Sequence, residues 1–372
     1  MCAVNRVQLG DLLDYEQPTR YIVSSTDYDD AYDTPVLTAG QTFILGYTNE
    51  TEGIYKASKS NPVIIFDDFV TSFYLVDFDF KVKSSALKIL KPKKDVNIYY
   101  VYYAMLGISF VPKEHARHWI SKYSQFEIAY PSLAKQQEIV SQLDTFTTLI
   151  SNLESELDMR RKQYEHYRNQ LLDFEGVEGV EWKTLGEVAE YRRGSFPQPY
   201  GNEEWYNGED AMPFVQVADV EEGGMKLKES TKQFISTLAM PMSVFVPQGS
   251  VVVTLQGSIG KVAITQYDSY VDRTLGIFTS YLINIDKKYF AHQLLKIFSI
   301  KKKIARGGTI KTITKEEFSQ FVIPIPSSEI QQEIVEKLDA FENLIQSLEQ
   351  EIKLRKQQYE YYREKLLTFE KE

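Results

Sequence analysis

Residues 131–175 read PSLAKQQEIVSQLDTFTTLISNLESELDMRRKQYEHYRNQLLDFE, and residues 326–370 read PSSEIQQEIVEKLDAFENLIQSLEQEIKLRKQQYEYYREKLLTFE. At a constant offset of 195, 25 of these 45 positions are identical with no gap, which chance does not produce. The chain therefore contains an internal duplication. The same register extends upstream, where Ser124-Gln125-Phe126 matches Ser319-Gln320-Phe321. A weaker echo opens each half: Leu9-Gly10-Asp11 resembles Leu185-Gly186-Glu187, ahead of Tyr15 and Tyr191. The offset there is only 176, so the second half holds extra residues between its matched ends.

Each repeated segment reads as a long helix with a heptad seam. In the first, Ile139, Leu143, Phe146, Ile150, Leu153, Leu157, Arg160, Tyr164, Tyr167, Leu171 and Phe174 are spaced alternately four and three apart. The second repeats this with Ile334, Leu338, Phe341, Ile345, Leu348, Ile352, Arg355, Tyr359, Tyr362, Leu366 and Phe369. A period of 3.5 residues held over about five heptads predicts a coiled coil. Pro131-Ser132 and Pro326-Ser327 open the two helices, with serine placed to cap. Arg160 and Arg355 interrupt the apolar seam at the same heptad position. Two readings stay open for them: a buried guanidinium that fixes register, or a packed stem whose head reaches solvent.

At ~1.5 Å per residue, a seam of ~36 residues is roughly 55 Å long. Antiparallel pairing lets the block between the helices leave and return at one end, which costs less loop-closure entropy than spanning the whole length. The expectation is an α+β protein with two globular blocks separated by two long repeated helices, which form an antiparallel coiled coil with approximate twofold symmetry. The boundaries are 1–130, 131–181, 182–325 and 326–372.

Both blocks mix strand and helix. Val63–Phe66, Tyr74–Val82 and Ala86–Leu90 predict strands in the first block, and Ile98–Gly107 a helix. In the second, Ser243–Leu255 predicts strand around a Pro247-Gln248-Gly249 turn. Lys261–Thr265 and Tyr281–Ile285 predict further strands, and Tyr289–Ile304 a helix. The blocks scarcely resemble each other in sequence outside their edges, which points to two related tasks on two different targets.

The chain has 372 residues, 43% hydrophobic and 13% aromatic, too rich in Tyr and Phe for a disordered chain. No apolar run approaches the ~20 residues that span a bilayer. The opening MCAVNRVQLG lacks the apolar stretch of a secretory signal, which predicts a cytoplasmic protein. Cys2 is the single cysteine, so there is no disulfide and no thiolate metal cage. Net charge is −10, but it is uneven: −3 in 1–130, −5 in 131–181, +2 in 182–325 and −4 in 326–372. The two large blocks are near neutral and can carry local basic faces. Lys301, Lys302, Lys303, Arg306 and Lys311 surround Gly307-Gly308-Thr309, where cations and a close backbone suit phosphate. The matching stretch of the first block, Lys113–Lys122, holds His115, Arg117 and His118. Arg192-Arg193-Gly194-Ser195, Lys261, Arg273, Lys81 and Lys83 are further DNA-contact candidates, as are Lys91, Lys93 and Lys94.

Catalytic motifs are nearly absent. There is no dinucleotide fingerprint, no Walker A loop and no Asn-Pro-Pro-aromatic motif. Gly257-Ser258-Ile259-Gly260-Lys261 lacks the full spacing of a phosphate loop and reads as a turn. No metal site is expected of His115 and His118. Asp67 followed by Asp79-Phe80-Lys81 loosely matches the spacing of Mg²⁺-dependent nucleases, in which two carboxylates hold the ion and lysine assists water. The bland reading makes Asp77 and Asp79 outward residues alternating with Val76, Phe78 and Phe80. A coiled-coil adaptor with no nucleic-acid role is the other alternative.

The Pro-Ser-x-x-x-Gln-Gln-Glu-Ile-Val openings at 131–140 and 326–335 lead into duplicated helices that alternate with two dissimilar blocks. This arrangement resembles the specificity subunit of type I restriction-modification systems, over essentially the whole chain. The resemblance implies a non-catalytic subunit whose two blocks each read one half of a split double-stranded DNA target, with the helices setting the spacing. It also implies docking of two modification methyltransferase subunits, joined by restriction translocase-nuclease subunits. S-adenosylmethionine, ATP and Mg²⁺ would sit on those partners and none on this chain.

Overall fold

The computed structural model describes residues 4–38, 42–304 and 314–369. The first stretch supplies strands β1 (Asn5–Gln8), β2 (Leu13–Glu16), β3 (Thr34–Leu37), β4 (Ile44–Thr48), β5 (Val63–Asp67), β6 (Phe73–Val76), β7 (Lys81–Val82), β8 (Leu87–Pro92) and β9 (Glu127–Tyr130). Helices α1 (Leu9–Leu12) and α2 (Ile98–Met105) lie among them, and the first repeat is one helix, α3 (Leu133–Leu171). The second stretch supplies β10 (Glu181–Thr184), β11 (Ala189–Arg193), β12 (Met212–Val215), β13 (Gln233–Ile235), β14 (Val244–Val246), β15 (Val251–Thr254), β16 (Val262–Ile264), β17 (Ser269–Val271), β18 (Leu275–Tyr281) and β19 (Val322–Ile325). Its helices are α4 (Leu185–Val188), α5 (Lys287–Ile304), α6 (Lys315–Ser319) and the second repeat, α7 (Ser328–Leu367).

Two compact units divide the chain: Met1–Glu156 with Leu348–Glu372, and Leu157–Ser347. Each long helix gives one part to each unit. In the first unit, β2, β8, β5 and β6 form an antiparallel sheet in that order, while β4, β3 and β7 form a smaller one in which β3 and β7 run parallel. In the second, β11, β18, β15 and β16 repeat the first order, and β13, β12 and β17 repeat the second with β12 parallel to β17, while β14 adds a fourth strand beside β17. Blocks that barely match in sequence thus share a topology. The central strands show why: Val63–Asp67 and Val251–Thr254 are both buried throughout and apolar up to their last residue, a pattern that many sequences satisfy.

Within each unit the helix parts run antiparallel. In the first, Phe146 stacks on Tyr362 at 5.4 Å, and further along α3 Glu154 pairs with Lys356, earlier on α7, at 2.6 Å. In the second, Tyr167 stacks on Phe341 at 5.4 Å, and Tyr164 donates to Glu342 at 2.6 Å. At the 195 offset Phe146 corresponds to Phe341 and Tyr362 to Tyr167, so the two ring pairs are one contact made twice. Leu143 and Leu338 are fully buried; Ile150, Leu348 and Ile352 are nearly so; Leu153, Leu157 and Ile345 are half-buried. Arg160 donates to Gln163 at 3.0 Å, and Arg355 to Gln358 at 3.0 Å, each along its own helix. Both arginines are half-buried, which is the packed-stem arrangement.

The opening of each helix is also built twice. Ser132 Oγ accepts from Lys135 N and Ser327 Oγ from Ile330 N, both at 3.4 Å, while Gln136 and Gln331 donate to the carbonyls of Pro131 and Pro326 at 2.9 Å. Leu9 N donates to Phe126 O and Leu185 N to Phe321 O, tying each block's first turn to its last strand. Two expected strands differ from those observed. Tyr74–Val82 breaks into β6 and β7, because Asp79 turns to Lys56 at 2.6 Å and Phe80 bridges to Tyr55. The apolar run expected to begin a strand at Tyr281 is instead the end of β18; Leu282 N bonds Val188 O, and Asp286 starts α5 by accepting from Lys288 N and Tyr289 N.

Candidate nucleic-acid interface

The second unit presents arginines at one end of its main sheet. Arg192 and Arg193 finish β11 opposite Ile277 and Gly276 of β18, and Arg273 lies just before that strand. Gly194 follows, and a Cβ there would fall 2.1 Å from Val271 O and 2.4 Å from Asp272 O. Only glycine lets the two backbones pass so closely. Gly194 N donates to Leu275 O and Ser195 N to Val271 O, both at 3.1 Å, which locks the segments together. Arg192 and Arg273 are exposed and Arg193 is half-buried.

Beneath Arg273 lies a built platform. Its guanidinium sits 5.2 Å from the centroid of the Tyr200 ring. The Tyr200 hydroxyl donates to Asp272, a carboxylate only 3% exposed, which also accepts from Thr274 N at 3.1 Å. Burial and the carboxylate beside it push the Tyr200 hydroxyl far above its ordinary pKa, so it stays a donor. The Tyr200 ring stacks on Phe196 at 5.1 Å, and Phe196 in turn stacks on Phe214 at 4.5 Å and Tyr206 at 5.2 Å.

The Gly257–Lys261 segment is a turn. Thr254 Oγ1 donates to Ser258 O at 2.6 Å and accepts from Lys261 N at 2.9 Å, while a Cβ on Gly260 would strike Phe298 at 2.5 Å. Lys261 is half-buried, and its ammonium donates to Val220 O at 3.3 Å. Of Lys301, Lys302 and Lys303 only the helical backbone is described. Arg306, Gly307 and Lys311 lie outside the described residues.

In the first unit a buried carboxylate again holds a loop. Asp68, 0% exposed, accepts Trp119 N at 2.8 Å on Oδ1 and His118 N at 2.8 Å on its carbonyl. Its Oδ2 faces the ammonium of Lys88, itself 1% exposed, at 3.2 Å and Arg117 at 3.8 Å. Arg117 is exposed and lies 5.8 Å from the Phe69 ring, on which His115 stacks at 4.7 Å. Lys83 is exposed beside the Tyr28 ring at 5.7 Å.

Two expectations need correction. Lys81 is not presented to phosphate: it is 3% exposed, paired with Glu50 at 2.6 Å and donating to Glu52 O at 2.7 Å. The nuclease constellation does not assemble either. Asp67 spends Oδ1 on the turn amides of Phe69 and Val70, Asp79 pairs with Lys56, and Lys81 sits on the other sheet with Glu50. His118 is buried in a loop and bonded to Glu114 O. Among the described residues no three His, Cys, Asp or Glu side chains converge as metal ligands, and no helix is long and apolar enough to cross a membrane.

Sequence reasoning missed the buried holders Asp68, Lys88, Tyr200 and Asp272. A signal existed for one pair: Lys88 interrupts an otherwise apolar strand run, and Asp68 is the second of two aspartates that close another. An ionisable residue among strand-formers implies a partner.

The arrangement is a DNA-specificity fold, and the comparisons agree. The family described as "Type I restriction modification DNA specificity domain" matches residues 3–159 and 177–354, and the chain belongs to that family. It is a DNA sequence-recognition component without a catalytic role of its own. The "Type I restriction enzyme EcoR124I/EcoR124II specificity subunit" of Escherichia coli is 43% identical, over 99% of this chain and 95% of that one. A putative type I restriction enzyme specificity subunit of Haemophilus influenzae is 27% identical over 88% of this chain and 86% of that one. The type I S subunit of M. genitalium matches the fold with a TM-score of 0.62, covering 100% of this chain and 98% of that one at 14% identity. A chain from a structural study of the assembly of the type I R-M system gives 0.60, covering 99% and 100% at 16% identity.

Proposed function

We propose that the chain reads a bipartite target in double-stranded DNA, with block 1–130 on one half and block 182–325 on the other. Helices 131–181 and 326–372 set the distance between the halves and dock two modification methyltransferase subunits, with restriction translocase-nuclease subunits joining that complex. S-adenosylmethionine, ATP and Mg²⁺ belong to those partners. The observation that carries this reading is the shared topology of two blocks whose exposed residues differ, each ending on the same duplicated helix contact. Equivalent scaffolds with unlike surfaces suit equivalent tasks on unlike sequences. Arg192, Arg193 and Lys261 on one block, and Arg117 and Lys83 on the other, are the proposed DNA contacts, together with the Lys301–Lys311 cluster.

The test is an exchange of block 1–130 for that of a relative, followed by mapping of methylated bases in cells. One half of the methylated motif should change while the other half and the spacing persist. Change in both halves, or in neither, would refute the modular reading.

A further inference from the structure

An arginine that only neutralises phosphate contributes charge and counterion release, which do not depend on the base sequence and need no single orientation over a base edge. One that reads a base must hold its planar fork in a fixed orientation. Arg273 is fixed at both ends. Its backbone is set by Asp272 N donating to Val215 O and Leu275 N donating to Asp272 O, both at 3.0 Å. Its guanidinium lies against Tyr200, whose ring is stacked into a buried aromatic group and whose hydroxyl is tied to the carboxylate next door. Arg192, on the neighbouring strand, has no such platform among the described residues and is exposed.

We propose that Arg273 is the specificity-determining residue of the second block, reading a guanine edge in the major groove, with Tyr200 and Asp272 as positioning residues. The inference rests on the reading of block 182–325 as one half of a DNA reader. Arginine to the O6 and N7 of guanine is the commonest base-specific contact, and it is bidentate, which is what a pre-oriented fork serves. Arg192 then supplies a phosphate contact at the same edge, so base reading and backbone neutralisation come from adjacent but differently supported side chains.

The experiment uses the assembled methyltransferase complex on a DNA library randomised in both target halves, with methylation read per sequence. R273A and R273K should each lose about 10- to 100-fold of the discrimination at one G·C pair of the second half, leaving the first half unchanged. Y200F keeps the ring but frees it from Asp272, and should relax the same position by less. R192A should lower methylation of all sequences alike and shallow the salt dependence by about one counterion. Because R273K keeps both charge and stem, it carries the test if R273A fails to assemble. A uniform loss with R273A and R273K, unchanged discrimination, or relaxation in the first half overturns the role of Arg273. The unsubstituted complex separates the two levels: no bipartite motif there refutes the parent reading, whereas a motif that R273A and R273K leave intact refutes only this one.

Discussion

The two units order the four strands of their main sheets alike, yet fill one central position in opposite ways. In the first, Phe66 of β5 stands opposite Lys88 of β8, and the Lys88 ammonium meets Asp68, the residue after β5. In the second, Val253 stands opposite Gly276, and a Cβ on Gly276 would come within 2.9 Å of Leu255, the residue after β15. A buried ion pair has been exchanged for a leucine lying over a glycine. The topology survives because neither solution defines it. Sheet order follows from the buried apolar runs and from the helix contacts that frame each block. The position beside β5 and β15 is free to serve the loop above it. With Asp68 that loop is 117–119; with Leu255 there is no carboxylate to offer, and the loop-holding carboxylate is Asp272, on a different connection.

The sharpest way to break this comparison is Asp68→Ala. It leaves Lys88, 1% exposed, without its carboxylate and strips the acceptor from Trp119 N. A loss of about 3–5 kcal/mol in denaturant-unfolding stability is expected. Replacing both partners, with Asp68→Leu and Lys88→Met, should cost less than half of that, since no unpaired charge remains buried. Near-equal losses for the single and double variants would show that the pair itself matters little and that the second unit's leucine is not an equivalent solution.

A second test separates the units by pH. His292 on α5 is fully buried, and neither ring nitrogen has a hydrogen-bond partner among the described residues. Desolvation, helped by Arg168 and Lys288 and opposed by Asp339, holds its pKa down to about 4 from an ordinary 6.5. Tyr103 of α2 plays the corresponding part in the first unit, donating to Asp144 at 2.6 Å; Asp144 and Asp339 are 195 apart. The folded pKa lies below the unfolded one, so the unfolded chain takes up the proton first. Stability of the second unit is therefore complete above about pH 6.5 and falls toward pH 4, by on the order of 3 kcal/mol in all. Amide exchange should show Val251–Thr254 losing protection over that window more than Val63–Asp67 does. His292→Leu should flatten the difference, and an unchanged acid profile in that variant would count against His292 as its source.

Much of this was legible in the sequence because duplication and period are long-range signals. Twenty-five identities at one offset and an eleven-position seam fix the helices and their pairing before any strand is placed. The kinship of the two blocks was not legible, since β5 and β15 need only be apolar and VIIF and VVVT satisfy that without resembling each other. Charge clusters misled in proportion to how little they say about burial. Lys81 and Lys83 look alike in the sequence, yet one is enclosed by Glu50 and the other is exposed beside Tyr28. Arg273 was visible as a cation, but Tyr200 lies more than seventy residues earlier and nothing local joins them.

The smallest expected difference lies where α2 and α5 begin. Asn97 Oδ1 accepts one amide, Tyr100 N at 3.3 Å, whereas Asp286 Oδ1 accepts two, Lys288 N at 2.8 Å and Tyr289 N at 2.9 Å. Asp286 also brings a negative charge to the positive end of its helix. Its own N–H donates to Gln331 Oε1 at 2.9 Å, while the matching Gln136 Oε1 in the first unit is buried with no partner among the described residues. Among the described residues, the second unit thus ties its helix start to the opening of the repeat and the first does not. Substitution by alanine should cost about 1 kcal/mol at Asp286 and about half that at Asn97 by thermal unfolding. Gln331→Ala should exceed Gln136→Ala by a similar margin, because only Gln331 leaves a donor stranded when removed. Equal costs at the two caps would mean that the charge and the second amide bond add nothing, and that the units differ at this joint in geometry alone.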